Sequence, residues 1–224
     1  MSTPQESPLE LQSVLDLILN GGPLMIPIAL CSVVALAYTV ERALRLRGGA
    51  LAPRAFDREL TSALSDSPGA AGELCNAKNH ALARIFGAAF GHVSDDGERG
   101  RRVEEAGRRE LRRLSANLRP LVVVAMIAPL LGLLGTVWGM IEAFSDIALK
   151  DGIGKPELLA GGISQALVTT AAGLSVAIPA QVAFYALKGR VDRFARRTED
   201  LWLRVEPMLA RPAVTPLLGG GDPA

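Results

Sequence analysis

Two threonines stand where a hydroxyl has few partners. Thr136 lies inside Leu121 to Ile141, an apolar run with no charged side chain and about the roughly 20 residues that a bilayer-spanning helix needs. Thr170 lies inside a second such run, near Gly161 to Leu187. A hydroxyl at membrane depth either returns its hydrogen bond to the carbonyl one turn back or lines a polar contact or passage. Two further polar groups sit near the ends of these runs, Glu142 and Gln165. A membrane glutamate can carry a proton, whereas a glutamine can only donate and accept hydrogen bonds. No other chemistry is offered. His80 and His92 lack the spacing of zinc ligands, and neither a Gly-rich phosphate loop nor a nucleophile elbow occurs. No catalytic, metal or cofactor site is therefore expected, and the chain is expected not to be an enzyme.

The elements that would position the threonines are helices with one face stripped of bulk. At about 100° per residue, Ala125, Ala128, Pro129, Gly132, Thr136, Gly139 and Ala143 share a face of the first helix. Gly162, Ala166, Thr170, Gly173, Ala177 and Ala180 share a face of the second. In lipid such a face lets another backbone approach closely or lines a narrow cavity, because apolar side chains gain little from meeting in an apolar solvent. Counted from span ends near Phe144 and Gly162, both threonines lie about 12 Å below the outer surface. The expectation is a shared narrow passage or contact at one depth. Glu142 and Gln165 sit near the outer ends of the same helices, so a carboxylate on Glu142 could relay protons there. The plainer reading is a solvated interfacial acid.

Apolar residues make up 49% of the 224, and they fall in three blocks separated by charged sequence, the pattern of an integral membrane protein. From Met1 to Val40 there is no Lys or Arg, while Arg42, Arg45, Arg47, Arg54 and Arg58 follow. The positive-inside rule then puts the N-terminus outside, residues 41 to 119 in the cytoplasm and the Arg-rich stretch from Lys188 inside. Cys31 and Cys75 fall in different compartments and read as unpaired, buried thiols. No basic stretch precedes the first apolar block, which disfavours a signal peptide.

In order, the expected organisation begins with an outer amphipathic segment over 1–20. Transmembrane helix 1 follows over 22–44, a cytoplasmic helical domain over 45–119 and transmembrane helix 2 over 120–144. A periplasmic loop over 145–160 leads to transmembrane helix 3 over 161–187, a cytoplasmic amphipathic helix over 188–210 and a disordered tail over 211–224. The fold class is an all-α integral membrane protein, three transmembrane helices with long helical cytoplasmic extensions. Glu98 to Arg119 mixes Glu and Arg at spacings of three and four and should run into the second span as one long helix. Val191, Phe194, Leu201, Val205 and Leu209 mark the packed side of the last helix. Interleaved acids and the lack of stacking aromatics argue against nucleic-acid binding.

Three groups of residues carry a resemblance. They are Gly21-Gly22-Pro23-Leu24-Met25 with Glu41-Arg42, then Pro129 through Met140, then Ile163 through Pro179. On these the chain resembles the ExbB, TolQ and MotA family of membrane proton-channel proteins, and the ExbB/TolQ branch most closely. The resemblance implies a bacterial inner-membrane ring of five subunits around a pair of single-span ExbD- or TolR-like partners, whose membrane aspartate takes up protons. Proton flow would then drive mechanical work at the cell envelope, as in biopolymer transport. By position, Thr136 and Thr170 fall on the two threonines that line the family's channel. The branch usually has a glutamate where this chain has Gln165, which puts a proton-relay role there in doubt and leaves a non-conducting structural scaffold as the alternative. On a straight helix Gln165 lies about 140° from Thr170, which would turn it toward a neighbouring subunit. The powered process, and the choice of proton or sodium, stay open.

Overall fold

The computed structural model describes residues 21–47, 51–90, 96–149 and 156–209, so the segment 1–20, His92 and the tail 211–224 lie outside it. Its elements are all α-helices: α1 (Met25–Arg45), α2 (Phe56–Asp66), α3 (Pro68–Ala77), α4 (Ala81–Gly87), α5 (Asp96–Ala116), α6 (Arg119–Leu149) and α7 (Pro156–Leu209). Among the described residues, α1, α6 and α7 each contain a stretch long and apolar enough to cross a membrane. Two compact units result. One holds α1 to Leu44, α6, and α7 to Lys188; the other holds α2 to α5 and the rest of α7.

The first unit is arranged for lipid. Large apolar side chains point outward, with Ile26 74%, Leu30 64%, Met126 65% and Leu167 63% exposed. What it buries on α6 and α7 is mostly small, including Ala125, Ala128, Gly132, Gly139, Ala143, Ala166, Gly173, Ala177 and Ala180. An apolar surface of that extent is one that lipid or a protein partner covers. Pro129 sits inside α6 without ending it, which membrane helices tolerate because neighbouring groups re-satisfy the freed carbonyl. At the start of α1, Gly22 has φ +76° and its carbonyl accepts the first helical bond, from Met25 N at 3.1 Å.

Two expectations change. α5 and α6 are separate helices parted by a turn at Asn117 and Leu118, with Leu121 N donating to Leu118 O at 3.2 Å. Pro120 is the physical reason, since it has no N–H to give to the carbonyl of Ala116 and disfavours helical geometry just before it. The segment 145–160 is not wholly a loop, because α6 continues to Leu149 and α7 begins at Pro156. Nothing from Ser145 to Leu149 breaks a helix, whereas proline at the first helical position favours starting one.

The second unit packs as a water-facing protein does. Phe56, Leu60, Leu82, Ile85, Phe86, Leu201 and Val205 are almost wholly buried. Val191, Phe194 and Leu209 join them, so the packed side of the last helix is the one its spacing indicates. Ser67 ends α2 by donating its N–H to Ala63 O at 3.0 Å and caps α3 by accepting from Ala70 N at 3.1 Å. On α5, Arg102 pairs with Glu98 and Arg108 with Glu104 one turn apart. Such exposed pairs contribute about 0.3–0.5 kcal/mol each.

Arg197 does more. It donates to Asp57 Oδ1 at 2.8 Å and Oδ2 at 3.3 Å, and to the carbonyls of Ala52 at 2.7 Å and Pro53 at 3.0 Å. A planar fork is needed to serve all four acceptors. Arg197→Lys should therefore lower the stability of this unit by about 1–3 kcal/mol, seen as faster amide exchange in residues 52–66. Cys75 is buried, and burial pushes its thiol up to about 12. It should resist iodoacetamide at pH 8 in the folded protein and react only after denaturation.

Candidate functional site

The two small faces meet each other. α6 and α7 pass antiparallel, and the contacts step down both helices: Ala128 with Gly173, Gly132 with Thr170, Gly139 with Ala166 and Ala143 with Gly162. A Cβ added to Gly173 would lie 2.6 Å from the Ala128 carbonyl oxygen, and one on Gly132 would lie 3.0 Å from the Thr170 Cα. These are backbone atoms, so nothing can swing aside. Glycine at 132 and 173 is what allows the two backbones to approach this closely.

Thr170, half-buried, donates its hydroxyl proton to Gly132 O at 2.8 Å. This is an interhelical bond in a setting where interhelical bonds contribute about 0.6 kcal/mol on average. Thr136 is also half-buried and donates to Leu133 O at 2.6 Å, the local return to its own helix. It faces a shallow open groove with Val137, Met140, Ile141 and Phe144. The register sets Thr170 beside Gly132 and Thr169 beside Gly135, so Thr170 and Thr136 lie within one helical turn of each other. Each hydroxyl spends its proton on a carbonyl and keeps its lone pairs. Such oxygens can accept from a hydrated proton or coordinate a small cation, but they cannot store a proton.

Gln165 is half-buried, and its carboxamide lies directly over Gly22. A side chain at position 22 would collide with that carboxamide and would be strained by the positive φ. Beside it, Thr169 is fully buried, its methyl against Gly135. The Thr169 hydroxyl shares its proton between Gly21 O at 2.8 Å and Gln165 O at 2.9 Å. Thr169 therefore ties the turn before α1 to α7 while packing on α6. Sequence reasoning passed over it in favour of its neighbour. The signal was the paired Thr169-Thr170 together with Gly21-Gly22, because two glycines ahead of a span invite a donor to their carbonyls. Glu142 is exposed on α6, away from these contacts. Among the described residues no group of three or more His, Cys, Asp or Glu could hold a metal.

An all-helical chain with three spans, two of them joined through glycine and threonine, defines a helical integral membrane protein with hydroxyls set between its spans. Residues 77–200 match the MotA/TolQ/ExbB proton channel family, and the chain belongs to that family. It is 34% identical over 198 residues to the ExbB-like 1 biopolymer transport protein of Synechocystis sp., covering 85% of this chain and 78% of that one. Biopolymer transport protein exbB1 of Vibrio cholerae is 42% identical over 95 residues, 40% of this chain and 42% of that one. The Tol-Pal system protein TolQ of Haemophilus influenzae is 40% identical over 93 residues, 41% of this chain and 40% of that one. The chain thus matches less than half the length of the Vibrio and Haemophilus proteins and most of the Synechocystis one.

Substitutions at the contact should separate packing from mere composition. Gly173→Ala should weaken the α6–α7 pairing by about 1–3 kcal/mol, read as a lower melting temperature in detergent. Gly161→Ala, where an added Cβ meets nothing within 4 Å, should be neutral. Equal effects at both positions would show that the backbone contact does not hold the helices.

Proposed function

We propose that this chain is an ExbB/TolQ-type subunit of a bacterial inner-membrane proton channel that powers work at the cell envelope. The reading has the N-terminus in the periplasm and the helical domain in the cytoplasm. It works as a homopentamer with an ExbD- or TolR-like single-span partner. Family membership supports the class, and names such as biopolymer transport protein and Tol-Pal system protein among its relatives support the process. The observation that carries the reading to particular residues is the Thr170 hydroxyl on the Gly132 carbonyl, with Thr136 one turn away. Both hydroxyl oxygens keep lone pairs to spare in spans without a charged side chain, and we assign them to the ion path.

The same chemistry supports a titrating partner. No acidic residue lies between Leu121 and Ile141 or between Leu159 and Leu187, and Gln165 cannot titrate. The proton-storing group is then the partner's membrane aspartate, with Glu142, exposed on α6, as a solvated acid and not a relay. Gln165 over Gly22 acts as a structural latch, and Ala166 and Ala177 belong to the helix contact. A non-conducting scaffold is the competing reading, favoured by that same Gln165.

Co-reconstitution with the partner in liposomes and a pH-sensitive dye tests this. The wild type should conduct, and Thr136→Val with Thr170→Val should cut proton flux by about tenfold or more while leaving the complex assembled. Thr170→Ser, which keeps the hydroxyl, should conduct, and Glu142→Gln should leave flux unchanged. A conducting double valine variant would remove both threonines from the path, and a silent wild-type complex would favour the scaffold.

A further inference from the structure

One titratable side chain in the helical unit holds a structural post that a proton would take from it. His80 is the N-cap of α4. Its ring Nδ1 accepts the backbone N–H of Ala83 at 3.1 Å, and its own carbonyl accepts from Arg84 N at 3.2 Å. Only the neutral imidazole with its proton on Nε2 can accept at Nδ1, so the bond determines the tautomer. The residue is 7% exposed, and its ring meets the Phe56 ring edge-on, centroids 4.5 Å apart at 87°. Nε2 is buried and has no hydrogen-bond partner among the described residues.

The usual cap is Ser, Thr, Asp or Asn, whose oxygen accepts at every physiological pH. Histidine accepts only while deprotonated. A second proton on the ring would turn Nδ1 into a donor facing the Ala83 N–H and would place a charge in the core. The charged groups around the ring would not welcome it. Lys78 ahead of α4, Arg84 on α4 and Arg197 from α7 oppose the charge, and only Glu59 from α2 favours it. Glu59 is already engaged by Lys78 at 3.0 Å. What the cap holds matters to the whole unit, because Leu82, Ile85 and Phe86 of α4 are at most 1% exposed.

We infer that His80 is a proton-operated cap: acid on the side of the membrane that bathes this unit protonates the ring, breaks the bond to Ala83 and loosens α4 from the core. The direction agrees with the ring's surroundings. Burial first, then Lys78 and Arg84, hold the folded-state pKa below the ordinary 6.5. The released ring therefore binds protons more readily than the capped one. Stability is complete above pH 6.5, declines as pH falls from there toward the lowered folded-state value, and stays lost below it. The device does not depend on whether the chain conducts, although a proton channel would be a local source of the acid that works it.

Amide exchange on the full chain in nanodiscs from pH 7.5 to 5.0, corrected for intrinsic rates, tests the cap. Protection of residues 81–87 should fall progressively across that range, while residues 121–141 of α6 hold steady. His80→Asn supplies an oxygen cap that does not titrate and should give a flat profile. An unchanged wild-type profile, or the same loss in His80→Asn, would overturn the proposal. Should the variant not fold, nitrogen NMR of the wild-type ring decides instead. The Nε2–H tautomer at pH 7.5, giving way to a doubly protonated ring as α4 loses protection, is expected; an Nδ1–H tautomer would sink the idea.

Discussion

The Gly132 carbonyl can accept the Thr170 hydroxyl only because α6 and α7 approach backbone to backbone, and the first unit depends on that approach. In lipid, larger apolar side chains would not hold two helices together, since the surrounding chains offer equivalent contact. Close dispersion contact and a shared hydrogen bond must serve instead, and both require small residues on the facing rows. The same constraint explains why leucine, isoleucine and valine point outward here. It also explains the reach of Thr169. Its methyl can rest on Gly135 only because no Cβ stands there.

The second unit solves a different problem on the same chain. Its helices bury Phe56, Leu60, Leu82 and Phe86 and turn arginine and glutamate outward, because water supplies the drive that lipid does not. Its half-buried arginine on α7 is tied to specific acceptors. Arg197 fills its fork with one carboxylate and two carbonyls. His80 stands apart from this pattern, a titrating ring where a plain hydroxyl or amide would cap as well. One segment, α7, has residues in both units, so its composition changes along its length from glycine and alanine to arginine with spaced leucine and valine.

Much of this was legible beforehand, and for identifiable reasons. Three uncharged apolar runs, the glycine and alanine rows around Gly132 and Gly173, and the spacing of Val191, Phe194, Leu201, Val205 and Leu209 are periodic features, and periodicity survives without coordinates. The break before α6 was less legible, since Pro120 is equally at home in the first turn of a helix and at the end of one.

The chain by itself determined which faces are small, which are apolar and where charge begins, because each depends only on the order of residues along a helix. Tertiary structure alone decided which partner each face meets. The Thr170 to Gly132 bond joins residues 38 apart and the Thr169 to Gly21 bond residues 148 apart. Helical periodicity says which way a hydroxyl points, but not which carbonyl will be there. The choice of Thr169 over Thr170 as the residue that ties three helices together follows from the antiparallel register of α6 on α7, and register is a property of two surfaces fitted to each other.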